Sequence, residues 1–395
     1  MYGKRNPNMS AIAFFKVVSK TTDDIPPYSR NHIKISVDEK NGLIIALASS
    51  LGSVLCLLFF LAVASFIIYR RRVYSYKRLL ENANLVLAED YFSMQQFSYN
   101  ELESATNGFT EEVGRGSFGA VYKGTTGNRA VAVKRLERVV EEGVREFRAE
   151  ITTIGQTHHR NLVQLVGFCV EGSKRLLVYE FMSNGPLSDL LFKAAVRPAW
   201  KDRARFALDV ARGLFYLHEE CGVHIIHCNL NPQNILLDDT LTAKISDFGF
   251  ARLIMPNQAK LTSGDGESTG YFAPEWQKNA MISVKSDIYS FGVVLFEIVC
   301  CRRNIDVKVS SPDEIVLSSW VYNCYVSGEL IKLVGSGDGD DDSLDMKALE
   351  RMVKVGLWCV QDEPALRPLM KDVILMLEGT MDIPIPPSPE LPLVR

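Results

Sequence analysis

Cysteine is absent from residues 1–42, and nowhere in the 395-residue chain do two cysteines stand at C-x-x-C spacing. The first absence leaves the N-terminal stretch without a disulfide framework, and the second argues against a structural zinc site. Cys56 lies in an apolar run, and Cys169, Cys221, Cys228, Cys300, Cys301, Cys324 and Cys359 all follow it. That distribution suits a reducing compartment for the C-terminal part. A block of basic charge is also missing. With a formal charge of −3 and a pI near 6.1, the chain carries no footprint for nucleic acid. A secretory signal is not evident, because the short apolar stretch AIAFFKVV is interrupted by Lys16.

Charge is absent once more from Leu43 to Tyr69. About 20 apolar residues span a bilayer core as a helix, so this run predicts a single transmembrane helix over 43–69. Arg70, Arg71, Arg72, Lys77 and Arg78 follow it, against Arg30, Lys34 and Lys40 before it. The positive-inside bias then places the C-terminal part in the cytoplasm and residues 1–42 outside as a short extracytoplasmic segment. Residues 70–108 read as a juxtamembrane linker. It ends in FSYNELESATNGF, a short helix with polar caps stopped at Gly108.

What remains is globular in composition, 47% apolar and 23% charged over the whole chain. VGRGSFGAVYKG, Val113 to Gly124, places Gly114, Gly116 and Gly119 between two strand-like runs, and the second leads to AVAVK ending at Lys134. A dinucleotide-binding turn would open a helix instead. The pattern reads as a glycine-rich hairpin whose backbone approaches phosphates, with Lys134 reaching their oxygens. In EEGVREFRAEITTIG, Val144, Phe147, Ile151 and Ile154 share one helical face, and Glu146 and Glu150 are both candidates to pair with Lys134. DRARFALDVARGLFYLHEE carries a buried stripe through Phe206, Ala207, Val210, Ala211, Leu214 and Leu217. GDGDDDSLD alternates acids, yet Ser343 stands at the turn-glycine position and Leu349 at the position of the bidentate glutamate, so it reads as a solvated loop. The proline-rich tail over 381–395 reads as extended.

IIHCNLNPQNILLDD, Ile225 to Asp239, followed by SDFG at Ser246 to Gly249, resembles the catalytic and metal-binding loops of protein kinases. The resemblance covers residues 109–380. HHRNLVQLVGFC, LLVYEFM, YLHEEC, PQNILLDD and GYFAPEW make it similar to plant receptor-like serine/threonine kinases of the lectin-receptor group. It implies an α+β, bilobal kinase fold, with a small β-rich N-lobe and hinge over 109–182 and a large helical C-lobe over 183–380. It implies ATP and magnesium as cofactors, protein substrates, and partner receptor or cytoplasmic kinases. Val121 and Ala132 would line the nucleotide site, and backbone groups of Glu180 and Met182 would meet the adenine edge. Glu150 would pair with Lys134, leaving Glu146 as a solvated surface charge. Asn234 and Asp247 would hold the metal, Arg367 would pair with Glu275, and Asp287 would anchor the catalytic loop. Members of the group carry a large sugar-binding ectodomain, for which only the 42-residue segment stands here.

The catalytic loop departs from the family pattern at three positions. Cys228 stands for the arginine, Asn229 for the catalytic aspartate and Asn231 for the lysine. Asn229 can orient a hydroxyl and cannot take its proton, a function worth about 10²–10⁴ in rate. Asn231 removes a positive charge aimed at the transferring phosphoryl group. Cys228 cannot clamp a phosphorylated Thr262, Ser263, Ser268 or Thr269. Two readings follow: a membrane-anchored pseudokinase that binds nucleotide and acts as a scaffold, or a receptor-like kinase of reduced activity.

Overall fold

The computed structural model describes residues 50–67, 70, 94–116, 119–136, 141–155, 157–222, 224–253, 270–277, 282–309, 311–334 and 345–389. The chain divides into two units, Met1–Lys77 and Arg78–Arg395. In the first, helix α1 spans Ser50–Ile67 with a mean hydropathy of 2.4. At about 1.5 Å per residue it is long enough to cross the hydrocarbon of a bilayer. Its apolar side chains point outward, with Leu57 61% and Phe60 68% exposed. The expected extracytoplasmic segment, Arg71 and Arg72, the four activation-segment hydroxyls and residues 337–344 of the acidic loop all lie outside the described residues.

The second unit begins with a six-stranded sheet. Its strands are β1 (Gln95–Gln96), β2 (Glu112–Gly116), β3 (Gly119–Thr126), β4 (Arg129–Leu136), β5 (Leu165–Glu171) and β6 (Lys174–Glu180), in the order β1-β5-β6-β4-β3-β2. Residues 95–105, assigned to the linker by sequence, lie against this sheet. Strand β1 pairs parallel with β5, and helix α2 (Tyr99–Ala105) starts at a Ser98–Glu101 capping box. The helix gives way through Asn107 to Gly108, which takes a left-handed φ of +73°. Phe97 and Leu102 are buried with Val131, Val133, Cys169, Leu176 and Val178 on one face of the sheet. Because side chains alternate along a strand, Ala132 and Lys134 are left to the opposite face. Helix α3 (Glu141–Ile154) buries Phe147, Ile151 and Ile154 in the larger core.

Helices dominate the rest: α4 (Leu187–Phe192), α5 (Trp200–Phe215), α6 (Pro274–Gln277), α7 (Val284–Cys300), α8 (Leu317–Val326), α9 (Met346–Cys359) and α10 (Met370–Glu378). Between α5 and α6 run the short strands β7 (Ile225–Ile226), β8 (Ile235–Leu237), β9 (Ala243–Ile245) and β10 (Arg252–Leu253), with β8 paired to β9 and β7 to β10. A single π turn at Tyr216–Glu220 ends α5 before the catalytic loop. Helix α7 is buried on nearly every side, which makes it the axis of this lobe. A small sheet-rich lobe and a large helical one are thus both present, as the α+β reading requires. Residues 381–389 form no helix or strand. Trp358 Nε1 donates to Pro384 O at 3.0 Å and Gln361 Nε2 to Pro387 O at 3.3 Å, a spacing of one polyproline II turn.

The Arg367 guanidinium is buried and grips Glu275 with two parallel bonds of 2.7 and 2.8 Å. It donates further to the carbonyls of Gln361, Asp362 and Lys285, so every face of the charge is satisfied. Burial would raise the Glu275 carboxyl above its ordinary value of 4.5, but hydrogen bonds from Arg367 and Ser286 help hold it below. The pair's stabilisation is therefore complete above pH 4.5 and is lost as pH falls through the lower folded value. Glu275→Gln is expected to cost about 3 kcal/mol near neutral pH. Urea unfolding of the full chain in detergent checks this, and the gap between wild type and variant should close only below that pH.

Candidate functional site

Strand register sets out one wall of the site. Val121 lies opposite Lys134, and Ala132 opposite both Lys123 and Tyr179, so Val121, Ala132, Lys134 and Tyr179 share one face of the sheet. Gly116 pairs with Gly119 across the glycine hairpin. Among the described residues a Cβ at Gly114 or Gly116 would meet no atom within 4 Å, whereas one at Gly119 would run into the backbone of Arg135. The first two glycines thus keep space open, and the third allows the strands to pack. At the strand end the Glu180 carboxylate is committed inside the protein. It accepts from Gln164 N at 2.9 Å and from Lys244 Nζ at 2.9 and 3.0 Å. Met182 is buried, and its carbonyl accepts from Gly185 N. Among the described residues its N–H has no partner, which leaves one backbone donor available at the hinge.

Lys134 lies at the centre of the site. Its Nζ is 2.5 Å from Glu150 Oε1, 2.6 Å from Glu146 Oε1 and 3.0 Å from Asp247 Oδ1. Burial works against the ammonium, yet Asp247, Glu150 and Glu146 outweigh it and hold Lys134 protonated well above its ordinary range. The pairing with Glu150 matches the sequence expectation. Glu146 does not behave as expected: it is 2% exposed and faces the same lysine, one helical turn before Glu150. Its i, i+4 spacing from Glu150, each directly before a buried residue of α3, was the available signal. Burial raises Glu146 to about 8 despite Lys134. Asp247 stays below its ordinary value because Lys134 overcomes the cost of burial. Glu146, Glu150 and Asp247 each bring an oxygen within 4.8 Å of the others. Asp247 itself adopts a left-handed backbone, φ 63° and ψ 73°, a strained geometry for a residue with a side chain.

The catalytic loop hangs from one carboxylate. Asp287, at the start of α7, accepts from His227 N at 2.8 Å, from Cys228 N at 2.9 Å and from His218 Nε2 at 2.9 Å. His227 bonds Ser246 O through Nε2 at 3.0 Å, and its Nδ1 accepts from Asn229 N at 3.3 Å. Those roles require the neutral Nε2–H tautomer, in agreement with burial lowering its pKa. A neutral, hydrogen-bonded ring cannot activate the Cys228 thiol, which is buried and turned toward Ile226 O at 3.6 Å. The ring also meets Phe248 edge-on at 5.0 Å, tying the catalytic loop to the metal loop.

Asn231 is 3% exposed and folded back into the loop. Its Nδ2 donates to Asn229 O at 3.1 Å and to Asn229 Oδ1 at 3.3 Å, while its Oδ1 accepts from Gln233 N and Asn234 N at 2.9 and 3.2 Å. It acts as an Asx brace and offers nothing to a ligand. Asn234 Nδ2 donates to Asn229 O at 2.9 Å. Its Oδ1 accepts no bond among the described residues. That amide oxygen and the Asp247 carboxylate are hard donors of the kind magnesium takes, so the residues present fit the ion.

A family model described as protein tyrosine and serine/threonine kinase matches residues 108–377. G-type lectin S-receptor-like serine/threonine-protein kinase LECRK1 of Oryza sativa subsp. japonica is 49% identical over 323 residues, 80% of this chain and 39% of that protein. LECRK2 of the same subspecies is 51% identical over 297 residues, 74% of this chain and 36% of the relative. The similarly named RLK1 of Arabidopsis thaliana is 40% identical over 400 residues, 98% of this chain and 46% of the relative. The chain spans less than half the length of these relatives. With its glycine hairpin, lysine–glutamate pair and aspartate-anchored loop, the chain belongs to the protein tyrosine and serine/threonine kinase family, among the plant receptor-like kinases of the lectin-receptor group.

Proposed function

We propose that this chain is a membrane-anchored receptor-like kinase domain that binds magnesium–ATP and transfers phosphate poorly, acting in signalling as a pseudokinase scaffold for partner kinases. The observation that carries this is the state of the catalytic loop. Asn229 has no proton-accepting group, and its Oδ1 already lies 3.3 Å from Asn231 Nδ2. Asn231 supplies no charge, and its amide is spent on the loop. The binding half supports the nucleotide reading: Lys134 is fixed in place for phosphate, Gly114 and Gly116 leave room for it, and Met182 N can meet a base edge. Asn234 and Asp247 would hold magnesium, which would offset phosphate charge there. The anchored reading is supported by α1, followed in sequence by Arg70, Arg71 and Arg72, a basic flank that favours a cytoplasmic kinase unit, at the plasma membrane by analogy with receptors.

A second reading, a serine/threonine kinase of reduced rate, is favoured by one observation. Lys134, Glu150 and Asp247 are assembled as transfer requires. Since phosphoryl transfer depends mainly on positioning and electrostatics, a loop without its base can retain part of the rate.

Single-turnover transfer from labelled magnesium–ATP by the full chain in detergent separates the two. The double repair Asn229→Asp with Asn231→Lys is expected to raise autophosphorylation by about 10²–10⁴ while nucleotide affinity stays within a few-fold. A native rate equal to the repaired one would sink the pseudokinase reading. Lys134→Met is expected to weaken magnesium–ATP binding by about 10- to 100-fold in titration calorimetry, the loss of one charge-assisted contact. Unchanged affinity would remove Lys134 from the phosphate site.

A further inference from the structure

One face of α9 carries the chain's own residues 381–389. Lys347, Arg351, Lys354 and Trp358 follow one another at steps of four, three and four, so they share that face, and Gln361 stands three residues further on. Gly379, left-handed at φ +77°, lies against the Arg351 side chain. Met381 and Ile383 then pack against the larger core, and the segment runs on to Trp358 and Gln361.

Two patterns of period three show how the segment is held. The carbonyl oxygens of Pro384 and Pro387, three residues apart, accept from Trp358 Nε1 and Gln361 Nε2 at 3.0 and 3.3 Å. Pro386 and Pro389, also three apart, are buried, whereas Ile385 is 81% exposed. A polyproline II helix has three residues per turn, so the donors meet one edge of it and the buried prolines lie on another. The Gln361 amide is preset for this, since Nε2 also donates to Leu357 O at 2.8 Å. Neither donor reads a side chain of the segment. Each meets a main-chain oxygen that any polyproline II segment offers, and the buried positions select proline.

Where the segment begins, a cavity of about 400 Å³ opens between α9 and residues 379–383. Lys347, Arg351 and Lys354 line it with Glu350, three cations against one carboxylate, and Asp382 is the acid that the segment brings. Arg351 Nε is buried and donates to nothing among the described residues. The wall therefore favours an acidic residue ahead of the prolines.

We propose that this face of α9 is a docking site for a proline-rich segment of a partner protein, acidic at its N-terminal end and in polyproline II form, which takes the place of residues 382–389. The chain's own segment is the resident ligand. Its tether gives it an effective concentration on the order of millimolar, which closes the site to weak competitors. Only two hydrogen bonds between neutral groups hold its backbone there, so a segment that repeats these contacts can exchange with it. The inference does not depend on whether the chain binds nucleotide.

The test uses the full chain in detergent and a fluorescein-labelled peptide of residues 381–390, MDIPIPPSPE, in place of the partner segment. Pro386→Asp with Pro389→Asp unseats the resident ligand, and by fluorescence anisotropy this variant is expected to bind the peptide about tenfold or more tightly than the native chain. Adding Trp358→Phe, which keeps a ring and removes the donor, is expected to weaken that binding about three- to tenfold. A second measurement needs no variant. Irradiating the native chain with millimolar peptide that carries photo-methionine at its first position should place cross-links on residues 347–354. Equal binding by the native chain and the double variant would overturn the proposal. If the double variant does not fold, the cross-link decides: labelling of α9 supports exchange, and its absence makes residues 382–389 a fixed structural strap. A native dimer that dissociates in the double variant would make a second copy the occupant and overturn the assignment to a partner.

Discussion

One buried carboxylate organises the chemistry-bearing part of this molecule. Asp287 draws two consecutive backbone N–H groups and the His218 ring onto a single side chain at the head of the most deeply buried helix. Donors from three places converge on it, and each bond to an ionised acceptor is stronger than a neutral one. The left-handed Cys228, φ +68°, is among the residues held there. With the loop start fixed, His227 reaches Ser246 and Phe248, and the metal loop is registered against the catalytic loop. Strain at Asp247 is tolerated because its surroundings overdetermine it.

The site divides into a charged half around Lys134 and a catalytic loop whose asparagines are neutral. Around Lys134, acids exceed bases and most of the side chains are buried, so protonation states are set by neighbours as much as by water. Around Asn229 and Asn231, amides bond to amides and to the backbone. A neutral loop is easier to bury than an aspartate–lysine pair, whose desolvation must be offset by good geometry. With asparagine at both positions the loop keeps a well-satisfied hydrogen-bond network.

Much of this was legible in the order of short motifs. The strand pattern around Lys134 and the apolar stripes of α3 and α5 were placed by type and spacing, and the Glu275–Arg367 and Asp287 anchors by the resemblance to protein kinases. Glu146 was misread because its burial depends on Gly249, a residue far along the chain whose missing side chain leaves the needed room. Residues 95–97 looked like linker because a two-residue strand has no period of its own. Its identity comes from β5, some seventy positions later. The backfolded Asn231 was equally invisible, since an asparagine in a loop can bond outward or inward and only the positions of Gln233 N and Asn234 N decide it.

Asn234 is fastened to residue 229 through a main-chain oxygen, and Ser246 holds Asn234 in turn by its own backbone carbonyl. Any amino acid supplies such oxygens. The bond that holds the Asn234 amide is consequently blind to which side chain stands at 229, whereas position 231 does matter, because the Asn231 amide oxygen accepts from Gln233 N and Asn234 N. In engineering terms, the residue at 229 is a fitting on a mount that does not depend on its side chain, so that side chain is exchangeable while the Asn234 amide stays where it is.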